Sequence, residues 1–300
     1  MVVDKTQTSG LATVGAWINY AATAFEKANL YYGHGTDNAW DDAVYLILVQ
    51  LGLPINADDS VLQYPVDMSK REQLYRLVQQ RIKGRIPVAY LNKLAYFAGL
   101  EFYVDERVLI PRSPLAELIL QGFTPWIKLE NIQDILDMGT GSGCLAIACA
   151  YAIPDARIDA VDISSDALDV CRINIFKHRM MERVTPIQSD LFGQLRGKRY
   201  DVIVSNPPYV GDQEIKELPD EYLTEPDIAL HVQGAGDLIA VNIIQQAVDY
   251  LKPGGILVVE VGNSAPLITE RFAHLPLVWL EFACGESEVL LITREQLEVN

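Results

Sequence analysis

The chain has 300 residues, half of them hydrophobic, and a formal net charge of −16. That length and apolar content allow a large core in one or two domains; the acidic balance argues against nucleic-acid binding unless a local basic patch overrides it, and favours a basic partner. There is no Cys-x-x-Cys pair, no ligand spacing among the histidines and no apolar run near the ~20 residues a bilayer requires, so neither a zinc site, a disulfide framework nor a membrane span is expected, and a soluble cytoplasmic protein is.

Residues 11 to about 84 read as helical, with a loop at Tyr31-Tyr-Gly-His-Gly35. His34 there is a candidate base. Asn38–Leu51 is nearly apolar after a first turn carrying Asp41 and Asp42, which suit the positive end of a helix dipole, and predicts a buried helix. Ser69 with Glu72 reads as a capping box for the next helix, whose apolar face is Leu74, Leu77, Val78 and Ile82. Lys70, Arg71, Arg76, Arg81 and Lys83 give that helix a basic face, read as solvated or, alternatively, as a contact for RNA or for an acidic part of a substrate. Trp17, Trp40, Trp126 and Trp279 read as core or interface packing. Between Pro87 and Pro111 the helical pattern breaks, and Tyr96-Phe97 and Phe102-Tyr-Val104 around Ala98-Gly99 predict a β-hairpin connector. The chain thus divides into a helical region at 1–86, a connector at 87–111 and an α/β domain at 112–300.

Over the last region strands and helices alternate, the pattern of a parallel α/β sheet. Strands are predicted at 134–138, 157–162, 184–188, 200–205, 256–261, 277–282 and 288–293, with Pro253-Gly-Gly255 punctuating the start of the fifth. No helix-length segment separates the last two, so they should pair antiparallel. Asp137 and three glycines, Gly139, Gly141 and Gly143, lead from the first strand into the apolar run Cys144–Ala150. Such glycines let a backbone approach a ligand closely. A dinucleotide fingerprint would need glycine at 144, where Cys144 stands, and an acid just before the glycines suits a ligand with a cationic amino acid part. Asp162 closes the second strand, where a carboxylate takes ribose hydroxyls; its competing role is the N-cap of the helix starting near Ser164. Asp190 is placed to accept from an adenine amino group, with Leu191 packing near the ring and Phe192 in the core.

The tetrapeptide Asn206-Pro207-Pro208-Tyr209 follows the apolar run Tyr200–Ser205. A residue before proline is held extended, and a proline donates no N–H, so neighbouring carbonyls keep acceptor capacity. The result is a rigid set of acceptors suited to a substrate –NH2 that must become nucleophilic without losing a proton. If the strands ending in the glycines and in this tetrapeptide are neighbours at the point where strand order reverses, cofactor and substrate amide meet there.

Asp137-Met-Gly-Thr-Gly-Ser-Gly143, Asp162 and Asn206-Pro-Pro-Tyr209 resemble the S-adenosylmethionine-dependent, Rossmann-like methyltransferases of the HemK group, which methylate a glutamine side-chain amide of a protein. Arg85–Tyr90 and Phe102–Pro114 resemble the segment joining that group's two domains. Tyr31–Ala43 and Pro111-Arg-Ser-Pro114 resemble the branch acting on the third protein of the large ribosomal subunit (uL3); the release-factor branch carries Asp-Thr-Glu shortly after its Pro-Arg, where Ser113–Glu117 stands here. The resemblance runs from about residue 15 to the C-terminus.

It implies a small helical substrate-recognition domain followed by a class I methyltransferase fold, an α/β sheet of seven strands with an antiparallel last strand. It implies S-adenosylmethionine as cofactor, held by Asp137, Met138, Gly139, Thr140, Gly141, Gly143, Asp162, Ile163, Asp190, Leu191 and Asn206. It also implies a catalytic set of Asn206, Pro207, Pro208 and Tyr209, in which the Asn206 side-chain oxygen and the Pro207 carbonyl accept the two amide hydrogens and Tyr209 walls the glutamine pocket. No metal is expected, because the sulfonium donor is already activated. The implied partner is basic uL3, free or in a ribosomal precursor, with no membrane and with direct nucleic-acid binding secondary. Glutamine methylation of a class-one release factor, adenine amino methylation of nucleic acid and a noncatalytic assembly role stay open. Gln233-Gly-Ala-Gly-Asp-Leu238 stands where the group often has Gly-x-Asp-Gly-Leu, so the conformation of that loop is not inherited.

Overall fold

The computed structural model describes residues 10–283 and 285–298. Contacts divide them into two compact units: residues up to 95 together with Pro219–Thr224, and the remainder.

The first unit is built on α1 (Val14–Lys27), α2 (Ala39–Leu51), α3 (Met68–Gly84) and the short α4 (Val88–Asn92). Thr13 caps α1 by accepting from the Ala16 N–H, and Asn38 caps α2 by accepting from the Asp41 N–H. Gly52, in the left-handed region at φ +70°, ends α2. Trp17, Phe25, Leu46, Ile47, Leu74 and Val78 form the centre of this unit's core. Trp40 and Trp126, expected to be packed, are instead 44% and 37% exposed. Asp67, not Ser69, is the N-cap position of α3, and no side chain caps it: the Lys70 and Arg71 N–H groups already bond the Asp67 carbonyl, which puts Ser69 inside the first turn. Arg81 is also misplaced by the sequence reading, since it is 2% exposed and not part of a solvated basic face. Its guanidinium donates to Asp42 Oδ2 at 2.8 Å and to the Tyr31 carbonyl at 2.8 Å, and lies 3.5 Å from Glu221 Oε1. Glu221, on the segment 219–224, also accepts from the Tyr31 N–H and from Arg85. His34 packs its ring against Tyr222 in this unit.

Next along the chain comes a two-stranded hairpin, β1 (Ala95–Phe97) and β2 (Leu100–Phe102), as predicted. Its turn residues Ala98 and Gly99 have φ of +49° and +76°, the left-handed pair that matches the twist of a hairpin.

The second unit contains seven larger strands: β3 (Asp134–Met138), β4 (Arg157–Asp162), β5 (Val184–Gln188), β6 (Tyr200–Ser205), β7 (Leu251–Glu260), β8 (Val278–Phe282) and β9 (Gly285–Thr293). They form one sheet in the order β5-β4-β3-β6-β7-β9-β8. Pairings from β5 to β7 are parallel, and β9 runs antiparallel to both β7 and β8, as the missing final helix demands. The fifth strand begins at Leu251 rather than 256, because Tyr200 pairs Leu251 while Val202 pairs Ile256; the intervening Pro253-Gly254-Gly255 bulges out of the ladder. Helices cover both faces, chiefly α5 (Leu115–Leu120), α6 (Cys144–Ala152) and α7 (Ser165–Lys177) on one, and α9 (Leu238–Tyr250) and α10 (Ala265–Arg271) on the other; a single-turn α8 (Asp227–Leu230) precedes α9. Ile256 and Val258 belong to one core cluster and Leu257 and Val259 to the other, so strands buried on both faces read as continuous apolar runs.

Candidate active site

Chain order reverses between β3 and β6, the place where open parallel sheets bind ligands. Met138 at the end of β3 pairs with Ser205 at the end of β6, and Ser205 Oγ donates to the Met138 carbonyl at 2.7 Å. The two ligand-facing turns therefore spring from one locked point. In the first turn the Gly139 and Thr140 N–H groups both donate to the Val161 carbonyl at 2.8 Å, and the Gly141 N–H donates to Asp162 Oδ2 at 2.9 Å. Gly143 precedes α6 at φ +82°, and a Cβ there would lie 2.8 Å from Cys171 Sγ, so only glycine fits.

Asp137 is fully buried beneath this turn. Its Oδ2 accepts from Thr140 Oγ1 at 2.6 Å and from the Ala146 N–H at 3.0 Å, whereas Oδ1 has no hydrogen-bond partner among the described residues. Burial pushes its carboxyl up to about 7, against the pull of those two hydrogen bonds. Asp162 uses both oxygens on backbone donors, Gly141 and Ser164. Capping of α7 falls to Ser164, which accepts from the Ala167 N–H, so helix capping does not account for Asp162. Its second lone pairs remain available for hydroxyl donors. Burial holds this carboxyl above the usual range as well.

A cavity of about 300 Å³ opens here, lined by Met138, Gly139, Thr140, Gly141, Asp162, Ile163, Asp190, Leu191, Asn206, Pro207 and Pro208. That volume is at the small end of ordinary ligand sites. Two of the predicted cofactor residues, Asp137 and Gly143, lie off its wall: one supports the turn from below and the other starts a helix. Asp190 is exposed at the wall, and Phe192 packs in the core against Tyr250. Sequence reasoning missed Arg107, Ile228, Ala229, Asn242 and Ile243, which also line the cavity. Arg107 lies in the Phe102–Pro114 stretch but carried no assigned role there, and the other four belong to no motif.

Among the described residues, no hydrogen bond engages the Asn206 side chain, and none ends on the carbonyls of Asn206, Pro207 or Pro208. The acceptor set is thus free and faces the cavity. Tyr209 points elsewhere. It lines a second cavity of about 690 Å³ with Arg112, Ser113 and Glu260, and its hydroxyl donates to Glu260 Oε1 at 3.0 Å. Burial, with Glu260 alongside, keeps that hydroxyl protonated far above the ordinary tyrosine range. Burial likewise raises the Glu260 carboxyl, opposed by hydrogen bonds from Ser113 and Tyr209 and by the nearby Arg112 charge. Glu260 was also missed, though it shares a visible signal with Asp137 and Asp162, an acid closing an apolar strand. The loop at 233–238 packs under the tetrapeptide: a Cβ on Gly236 would lie 2.2 Å from the Tyr209 carbonyl oxygen. Glu225 holds the segment before α5 in place by pairing both oxygens with Arg112 at 2.7 Å and accepting from the Ile110 N–H.

A methyltransferase small domain family model matches residues 117–235. The chain is 42% identical over 290 residues to the ribosomal protein uL3 glutamine methyltransferase of Francisella tularensis subsp. tularensis (strain SCHU S4 / Schu 4), spanning 96% of this chain and 92% of that protein. It is 44% identical over 289 residues to the protein of the same name from Neisseria gonorrhoeae (strain ATCC 700825 / FA 1090), spanning 96% of each. Among solved structures, the hMettl16 catalytic domain in complex with MAT2A 3'UTR hairpin 6 shares the fold at 15% identity and a TM-score of 0.51, over 76% of this chain and 84% of that one.

Proposed function

Because this chain belongs to the ribosomal protein uL3 glutamine methyltransferase family, we propose that it methylates the side-chain amide nitrogen of a glutamine in ribosomal protein uL3. The observation that carries this reading is the free acceptor set of Asn206 and Pro207 on the wall of the glycine-turn cavity. When bound, S-adenosylmethionine supplies the methyl group on an activated sulfonium. The orphaned Asp137 carboxyl, buried just beneath the turn, supplies negative charge that suits its ammonium group, the spare lone pairs of Asp162 fit the ribose hydroxyls, and Asp190 fits the adenine amino group.

An amide nitrogen is a poor nucleophile, since its lone pair is delocalised into the carbonyl, and no ordinary side chain deprotonates it. In this reading the Asn206 side-chain oxygen and the Pro207 carbonyl each accept one amide hydrogen. These fixed dipoles favour the pyramidal nitrogen and the positive charge that develops on it, without any reorganisation at the moment of reaction. Orientation contributes further, by as much as about 7–11 kcal/mol in well-aligned systems. A basic ribosomal protein also suits a chain of net charge −16.

The test is methyl transfer from labelled S-adenosylmethionine, offered in parallel to uL3, a class-one release factor and adenine-containing DNA. Label on a glutamine of uL3 alone is the expected result. Label on the release factor keeps the chemistry and changes the substrate, and label on DNA removes the protein substrate altogether.

A further inference from the structure

Glu260 closes β7, one strand over from the acceptor turn, and is 7% exposed. Among the described residues it has no ion-pair partner; the nearby Arg112 guanidinium is engaged by Glu225 at 2.7 Å on both oxygens. Its own oxygens instead take two hydroxyls: Tyr209 donates to Oε1 at 3.0 Å and Ser113 Oγ donates to Oε2 at 2.6 Å. Ser113 Oγ in turn accepts from the Leu115 N–H at 3.2 Å, at the start of α5. A buried carboxylate whose direct partners are two hydroxyls, and whose nearest guanidinium acts on it only through space while paired with another acid, gains the fold little, because burying charge is costly. Its position explains it better than its energy does. Gly262 lies against the tyrosine ring, where a Cβ would approach Cε2 to 2.5 Å, and Gly236 lies against the tyrosine carbonyl. Tyr209 is thereby fixed at its hydroxyl, its ring and its backbone. The tetrapeptide stands between the two cavities, with Asn206, Pro207 and Pro208 on one and Tyr209 on the other.

We propose that Glu260 is a positioning residue for the acceptor turn: tethered by Ser113, it holds Tyr209 and so sets the placement of Asn206 and Pro207 against the cofactor cavity. This rests on the glutamine-methylation reading above. Small displacements of such groups cost rate out of proportion to their size.

The experiment compares Glu260→Ala, Glu260→Gln, Ser113→Ala, Tyr209→Phe and the Glu260→Ala/Tyr209→Phe double variant. It measures kcat and KM for uL3, cofactor affinity by calorimetry, and hydrogen exchange at the Tyr209 and Val210 amides. Glu260→Ala should lower kcat about 10-fold or more and speed exchange at those two amides, with cofactor affinity within about twofold of wild type. Glu260→Gln should recover most of the rate, since its amide oxygen still accepts from Tyr209 and its amide N–H still reaches Ser113; Ser113→Ala should fall between. The double variant should be no slower than the slower single variant, as for residues acting as one unit. Wild-type kcat in Glu260→Ala, or losses that multiply in the double variant, overturn the inference. Unchanged exchange at Tyr209 and Val210 overturns it even if the wild-type protein methylates no uL3, an outcome that separately overturns the substrate reading.

Discussion

Asn206 brings to the site a carbonyl oxygen that no other described group uses, so its loss should register in turnover and little elsewhere. Asn206→Ala is expected to lower kcat by about 10²-fold or more, by analogy with removal of one preorganised dipole from an oxyanion hole, as measured by steady-state methyl transfer. Asp162 differs because it both orders the Gly141 turn and faces the ligand. Asp162→Ala should weaken cofactor binding by roughly 10–100-fold, the loss typical of charge-assisted hydrogen bonds, while kcat at saturating cofactor changes far less; calorimetry and kinetics together check the split. Asp137 titrates where it matters. Its pKa is raised from 3.8 to about 7 by burial, so the stability owed to its neutral form is fully present below 3.8 and is lost as pH rises through about 7. A cofactor ammonium above the turn is favoured by the ionised form beneath it, so affinity should have the opposite slope, rising with pH up to about 7 and levelling above it. Binding below that point should release a proton, read by calorimetry in buffers of different ionisation enthalpy, and Asp137→Asn should remove the pH dependence.

At the scale of elements, the strands were readable because β3, β4, β6 and β7 are buried on both faces, which leaves apolar runs closed by an acid or an asparagine. The two ligand turns were readable for the same reason: they begin where those runs end. What escaped was anything fixed by a partner far along the chain. Arg81 sits three residues after Val78 on α3 and reads as part of a basic stripe, yet its partners are Asp42 and, 140 positions on, Glu221. Arg112 with Glu225, and Glu260 with Ser113 and Tyr209, escaped in the same way. Ser69 and Glu72 had the spacing of a capping box, but hydrogen bonds to the Asp67 carbonyl start the helix earlier. The Arg81 network gives this scale its prediction. Arg81→Met removes the cation from between two carboxylates that are themselves almost wholly buried, so it should destabilise the protein by about 3–5 kcal/mol, the cost of stranding buried charge. Chemical denaturation checks the magnitude. Restoration of much of that loss by adding Asp42→Asn and Glu221→Gln would tie it to the stranded charges rather than to lost packing.

For the whole molecule the dominant quantity is charge: 40 acidic against 24 basic residues. Internal pairs, Arg81 with Asp42, Arg112 with Glu225, and Lys252 with Asp134 and Asp201, cancel locally, and the acidic excess is carried by the rest of the chain. Such a field attracts a basic substrate over distances of about a Debye length, ~10 Å at 0.1 M salt, and acts on encounter rather than on the bound complex. The cofactor cavity obeys different rules. Asp137 beneath it and Asp162 on its wall are largely buried and hydrogen-bonded, and such groups are screened far less by salt than exposed ones. The two partners should therefore respond differently to ionic strength. Between about 0.05 and 0.5 M salt, KM for uL3 should rise severalfold, while cofactor affinity and kcat stay nearly constant. Steady-state kinetics across that range, with calorimetry for the cofactor, measure both. A KM for uL3 that does not move with salt would mean recognition rests on local contacts alone, and that the overall charge serves the protein in some way other than recruiting its substrate.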